Sequence, residues 1–117
     1  MYSDPMQGDD DLVIVMTTLP DQGMATRLSQ ILVEEHHAAC VQVFPGLIST
    51  YFWQGEICTE SEFLLMIKTL LRNYDALEAR LRSLHPYSEP EIIAVPVIAA
   101  SQGYLRWAIH SLNRERS

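Results

Sequence analysis

The chain has 117 residues, 48% hydrophobic and 20% charged, the size and composition of one ordinary globular domain. Its 8 basic and 15 acidic residues give a net charge of −7. That balance speaks against a nucleic-acid partner, because basic side chains on phosphates supply most of such affinity. No apolar run nears the ~20 residues of a bilayer span, so no membrane span is expected.

Residues 1–11 are polar and acidic, without the basic start and apolar stretch of a secretory signal. They read as a flexible tail, and the expected compartment is cytoplasmic. Leu12-Val13-Ile14-Val15-Met16 is a short β-branched apolar run that predicts a buried strand. Thr17 to Asp21 breaks it. Asp21 can cap a helix in which Met24, Leu28, Ile31 and Leu32 recur at helical spacing to about His36.

From Ala39 to about Leu70 the pattern predicts two long strands around a turn at Gln54-Gly55. Pro45-Gly46 interrupts the first strand as a bulge or bend. Gln-Gly is a weaker turn signal than Asn-Gly, which leaves a two-residue turn and a slightly longer loop both open. Pairing Trp53 with Glu56 places Cys58 opposite Tyr51 and Cys40 opposite Thr69. The cysteines are then beyond the ~7 Å Cα separation of a disulfide, and two reduced thiols are expected.

Asn73 can cap a second helix with Tyr74, Leu77, Leu81 and Leu84 on one face, and Pro86 ends it by disfavouring helical geometry at His85. Glu91 to Ala99 reads as a fourth strand, with Pro96 at an edge, a bulge or a strand end. Ser101 can cap a last helix, turning Tyr104, Leu105, Ala108, Ile109 and Leu112 inward, before a polar tail at 114–117. The order β-α-β-β-α-β-α over residues 12–113 describes one α+β domain of the ferredoxin-like pattern. It carries an extra C-terminal helix and a long central hairpin.

That hairpin implies a partner. Strands of about 12 to 15 residues would reach ~40 Å or more, against a radius of gyration near ~13 Å for a domain this size. Alternation sends Tyr51 and Trp53 to one face of the tip and Phe52 to the other, so neither face is polar. Residues 63–67 are apolar on both faces, while two helices cover only one. Tyr51, Phe52 and Trp53 are therefore the candidate oligomer interface; a tip folded back on its own core is the competing reading.

Chemistry is sparse. No Gly-x-Ser-x-Gly, His-Glu-x-x-His or glycine-rich phosphate loop occurs, and Cys40 lies in an apolar strand that dulls a thiol. No enzyme is expected. His36-His37 beside Glu34-Glu35 diverge by ~100° if helical, so they cannot share an ion. Glu56, Glu60 and Glu62 share one strand face; they either draw cations between subunits or keep an edge strand soluble. Arg72, Arg80 and Arg82, interspersed with acids, read as a solvated helix face. His85 could ligate a metal in company with Glu89, Glu91 or a neighbouring subunit, or simply close the helix by local hydrogen bonds.

In order along the chain, Ala39-Cys40-Val41, Pro45-Gly46, Tyr51-Phe52-Trp53-Gln54-Gly55-Glu56, Lys68-Thr69, His85-Pro86-Tyr87, Pro90-Glu91-Ile92 and Tyr104-Leu105-Arg106-Trp107 resemble the divalent-cation tolerance family called CutA. The resemblance runs from about Val13 to Leu112. It implies a ferredoxin-like subunit in a homotrimer whose long strands cross between subunits, and kinship of fold with the PII signalling proteins. It implies a non-enzymatic role in tolerance of divalent metals, copper especially, with Cu(II) or another divalent cation as the bound species. The positions proposed as copper ligands in one bacterial member hold Thr17, Leu84 and His85 here. It also suggests a cleft lined by Trp53 and Tyr87 with His85, to which Glu89 and Glu91 are added as candidate ligand contacts from their places beside His85 in the sequence. The alternative function is a PII-like sensor of a small anion in clefts between subunits.

Overall fold

A computed structural model describes residue 8 and residues 10–114. The elements are β1 (Leu12–Leu19), α1 (Gln22–Glu34), β2 (Cys40–Trp53), β3 (Glu56–Leu70), α2 (Tyr74–Leu84), β4 (Ile93–Pro96) and α3 (Gln102–Asn113). Most of the expected acidic tail, and residues 115–117 of the polar tail, lie outside the described residues. The described end of the acidic segment forms a turn in which the Asp11 N–H donates to the Gly8 carbonyl at 3.0 Å. Arg114 donates to the Val33 carbonyl at 2.8 Å.

The four strands form one antiparallel sheet in the order β2-β3-β1-β4. Alternation along β1 and β3 sends Val13, Val15, Leu65 and Ile67 to one face, where they pack with Ala25, Leu28 and Leu32 of α1 and Leu77 and Leu81 of α2. On the opposite face, α3 covers only one end, packing Ala108 and Leu112 against Leu12 and Leu70. Beyond it the sheet leaves Phe44 and Ile93 each 47% exposed. β4 is an edge strand of four residues, and Pro96 sits at its last position, where no ladder donor is needed.

The caps follow the sequence with one exception. The Asp21 carboxylate accepts from the Met24 N–H at 2.8 Å, and the Ser101 hydroxyl from the Tyr104 N–H at 3.2 Å. Asn73 occupies the cap position of α2 but makes no side-chain cap bond, because a single 3₁₀ turn at Leu71–Asn73 leads into the helix. Its buried Oδ1 has no partner among the described residues. α1 stops at Glu34, short of the expected His36, which is left-handed at φ 64°. There the His36 N–H donates to Val33 and the His37 N–H to Leu32, closing the helix.

Gln54 (φ 49°) and Gly55 (φ 82°) make a two-residue turn with both positions left-handed, the type I′ geometry that matches strand twist. Gln54→Asn, the residue this turn favours, is expected to stabilise the fold by about 0.5–1 kcal/mol. An unchanged urea midpoint would show that the tip conformation is set elsewhere.

The bulge at Pro45-Gly46 changes the register. Pairing runs from Trp53↔Glu56 to Leu47↔Glu62, then shifts before Phe44↔Leu64. Tyr51 faces Cys58 as expected, but Cys40 faces Lys68 rather than Thr69. The cause is local: Pro45 has no ladder donor, and Gly46 takes φ 76°. A one-residue shift reverses faces. Val41 and Val43 thus reach the helix-covered core, while Tyr51 and Trp53 lie on the side of Glu60 and Glu62. Both cysteines are free.

The hairpin extends the molecule. The radius of gyration is 15.2 Å, against roughly 13 Å for a compact chain of this length. At the tip the cross-strand pair Phe52 and Ile57 is 71% and 75% exposed.

Candidate functional site

The site begins where α2 ends. Pro86 forces His85 into extended backbone, φ −74° and ψ 137°, and its N–H closes the helix on the Leu81 carbonyl at 2.8 Å. The His85 ring is then held on both sides. Its Nδ1 accepts from the Tyr87 N–H at 3.2 Å, which assigns the proton to Nε2. Nε2 lies 3.0 Å from the buried Thr17 hydroxyl, and the ring also meets the Thr18 backbone. Burial pushes the imidazole pKa below its usual 6.5, against the opposing pull of the Thr18 backbone and Glu62.

The Tyr87 ring packs 5.0 Å from the His85 ring and its hydroxyl donates to Glu62 Oε2 at 2.7 Å. Glu62 is only 7% exposed. Burial pushes its pKa up, but hydrogen bonds from Ser49, Tyr87 and Thr18 outweigh it and hold the carboxyl below the usual range. Burial and the Glu62 hydrogen bond raise Tyr87. Tyr51 donates to Glu60, and that bond leads the causes pushing its phenol up to about 12. At neutral pH both phenols therefore keep their protons and Glu62 is ionised.

These groups wall a cavity of about 590 Å³ between the hairpin tip and the loop after α2. Tyr51, Trp53 and Tyr87 supply aromatic surface; Glu60, Glu62, Glu89 and Glu91 supply carboxylates. The structure brings Trp53, Tyr87, Glu89 and Glu91 onto one lining, while His85 sits behind Tyr87 with both ring nitrogens engaged. Phe52 lies on the far face of the hairpin, since it pairs with Ile57 between the Tyr51 and Trp53 positions. Trp107 packs beside Tyr104 at 5.6 Å on α3, outside the lining.

Glu56, Glu60 and Glu62 are expected either to draw cations between subunits or to keep an edge strand soluble; Glu56 and Glu60 are exposed, but Glu62 is too buried to serve solubility. Over Leu64–Lys68, β3 pairs with β1 on one side and β2 on the other, whereas residues 56–62 pair with β2 alone and Thr69 and Leu70 with β1 alone. Glu62 is a buried wall of the cavity, and no spacing rule marks it. The period-two run of acids was the available signal.

Of Thr17, Leu84 and His85, only His85 carries a strong metal donor, and both its ring nitrogens are hydrogen-bonded. Thr17 and His85 are hydrogen-bonded to each other, and Leu84 packs against the core. Among the described residues, no group of three His, Cys, Asp or Glu could hold a metal ion. His36 and His37 lie beyond the helix; His37 Nε2 is 3.5 Å from Glu35, which forms a two-bond pair with Arg80 at 2.8 and 2.9 Å. Arg72 pairs with Asp10, and Arg82 with Glu78 at 3.2 Å and with the cleft carboxylate Glu89 at 3.7 Å.

A family model for the CutA1 divalent ion tolerance protein matches residues 13–111. The chain belongs to this family. It is 43% identical over 94 residues to the divalent-cation tolerance protein CutA of Thermus thermophilus, covering 80% of this chain and 91% of that one. The CutA crystal structure from Xylella fastidiosa superposes with a TM-score of 0.86 at 43% identity, over 88% of this chain and 99% of that one. A rice relative, the chloroplastic protein CutA 1, is 37% identical over 85% of this chain and 56% of its own length. The CutA1 assignment thus spans the sheet, the hairpin and the loop that together wall the cleft.

Proposed function

We propose that this CutA1-family chain is a non-enzymatic, cytoplasmic homotrimer of the response to divalent metal ions, copper among them, and that its cleft admits cations. The charge of the cleft carries the proposal: four carboxylates line it, and no Lys, Arg or His does among the described residues. The strand order β2-β3-β1-β4 supports the ferredoxin-like reading. The half-covered sheet face and the apolar hairpin tip support assembly through the hairpin. The names of the relatives support the association with divalent-ion tolerance.

One chain supplies no closed set of metal ligands, so ion binding in this proposal requires a neighbouring subunit to complete the set. A metal on His85 would displace the Thr17 or the Tyr87 hydrogen bond. The ion is therefore placed against Glu89 and Glu91 at the rim, with His85 holding the wall behind them. The anion-sensor alternative has no supporting observation, since carboxylate walls repel anions. Calorimetric titration tests the choice: Cu(II) is expected to bind saturably and ATP to give no heat. ATP binding without Cu(II) binding would overturn the proposal.

A further inference from the structure

We propose that the cleft of each chain takes an organic ammonium, an amine or diamine, which it can hold without the neighbouring subunit that a metal ion requires. The inference rests on the cation reading of the same cleft and goes past it to the class of cation. Hard divalent ions need several oxygens converging at ~2.0–2.6 Å, and no such group of acids exists among the described residues. The two best-placed carboxylates are already engaged, Glu60 by the Tyr51 hydroxyl and Glu62 by Tyr87, Ser49 and Thr18. They set a negative potential without offering open coordination positions.

The size and the walls point the same way. A volume of about 590 Å³ falls within the ~300–1,000 Å³ of small-molecule sites. Three aromatic side chains, Tyr51, Trp53 and Tyr87, share it with the acids. Ring faces attract cations that carry CH groups and shed water readily, and carboxylates receive their N–H donors. The Glu62–Tyr87–His85–Thr17 chain of hydrogen bonds and ring contact fixes one aromatic wall to the core, so that wall is preorganised. Glu89 and Glu91 stand on the loop at the rim, where they can meet the charged end of the ligand.

The full-length protein should be titrated separately with putrescine, tetramethylammonium, uncharged butanediol and Cu(II). Binding should quench Trp53 emission, read in a Trp107→Phe background. Saturable binding of both ammonium probes and none of butanediol is expected. The Glu89→Gln/Glu91→Gln variant should weaken putrescine by about tenfold; besides the two rim charges it removes only the exposed Arg82–Glu89 pair, a contact of little worth to the fold. Trp53→Leu should weaken tetramethylammonium more than it weakens putrescine. Putrescine binding unchanged in both variants would place the amine elsewhere and overturn the inference. Cu(II) binding with neither ammonium bound would overturn it while leaving the cation reading intact. Binding of neither kind of cation would overturn both.

Discussion

Replacing His85 by alanine is expected to destabilise the fold by about 3 kcal/mol. His85 is 9% exposed, and truncating its ring leaves a cavity at the junction of β1 and the loop after α2. It also strands the Thr17 hydroxyl and the Tyr87 N–H, which lose their partner; each orphaned group costs about 1 kcal/mol or more. His85→Asn should lose roughly half as much, because an Asn oxygen can still accept from the N–H two residues on. A loss below about 0.5 kcal/mol in His85→Ala, the scale of an ordinary surface change, would contradict this account.

The same histidine gives the fold a pH dependence with a definite sign. Its folded pKa lies below 6.5, so below that pH the unfolded chain binds a proton that the folded chain resists. Stability is then unaffected by His85 at higher pH and falls as pH drops through about 6.5. Glu62 adds a second loss at lower pH: its folded pKa is depressed, so its contribution is present above 4.5 and disappears as pH falls through the folded value. Urea midpoints should decline between about pH 7 and 5.5 in the wild type and stay level there in His85→Asn. A level wild-type profile over that range would mean the imidazole is not held neutral.

The second large effect concerns assembly. Phe52 and Ile57 face each other across the hairpin, both largely exposed within one chain. The pair Phe52→Asp and Ile57→Lys keeps a favourable cross-strand contact and should cost an isolated chain no more than about 0.5 kcal/mol. In an assembly that buries these side chains, each loses about 2–3 kcal/mol of apolar burial and places a charge in the interface. The variant should therefore remain folded by circular dichroism while its mass falls to that of one chain. A variant that keeps the wild-type mass would show that the tip contacts no neighbour.

The order of elements was legible because each boundary carries a physical stop. Asp21 and Ser101 offer oxygens to free N–H groups, Pro86 ends α2, and Gln54-Gly55 admits positive φ. The bulge at Pro45-Gly46 was legible as an interruption, but its one-residue sense was not. Only pairing with β3 reveals that it turns Val41 and Val43 to the helix-covered face while Tyr51 and Trp53 stay on the side of Glu60 and Glu62. Asn73 was misread because capping depends on whether the turn before α2 is 3₁₀, which local composition does not decide.

The site was less visible than the fold. Glu62 owes its burial to Thr18, Ser49 and Tyr87, which arrive from three separate parts of the chain. No periodicity links them. Only family resemblance links Trp53 and Tyr87 with His85 in the sequence, and His85 stands behind the cleft lining with its nitrogens occupied. An imidazole beside a helix end looks the same in sequence whether it ligates an ion or pins a loop.

The central claim is that the long hairpin serves assembly, with an acidic cleft beside its tip. Sedimentation equilibrium of the wild-type protein tests it most directly. The account predicts a mass three times that of the 13.3 kDa chain, independent of loading concentration over the micromolar range. A mass of 13.3 kDa would contradict it.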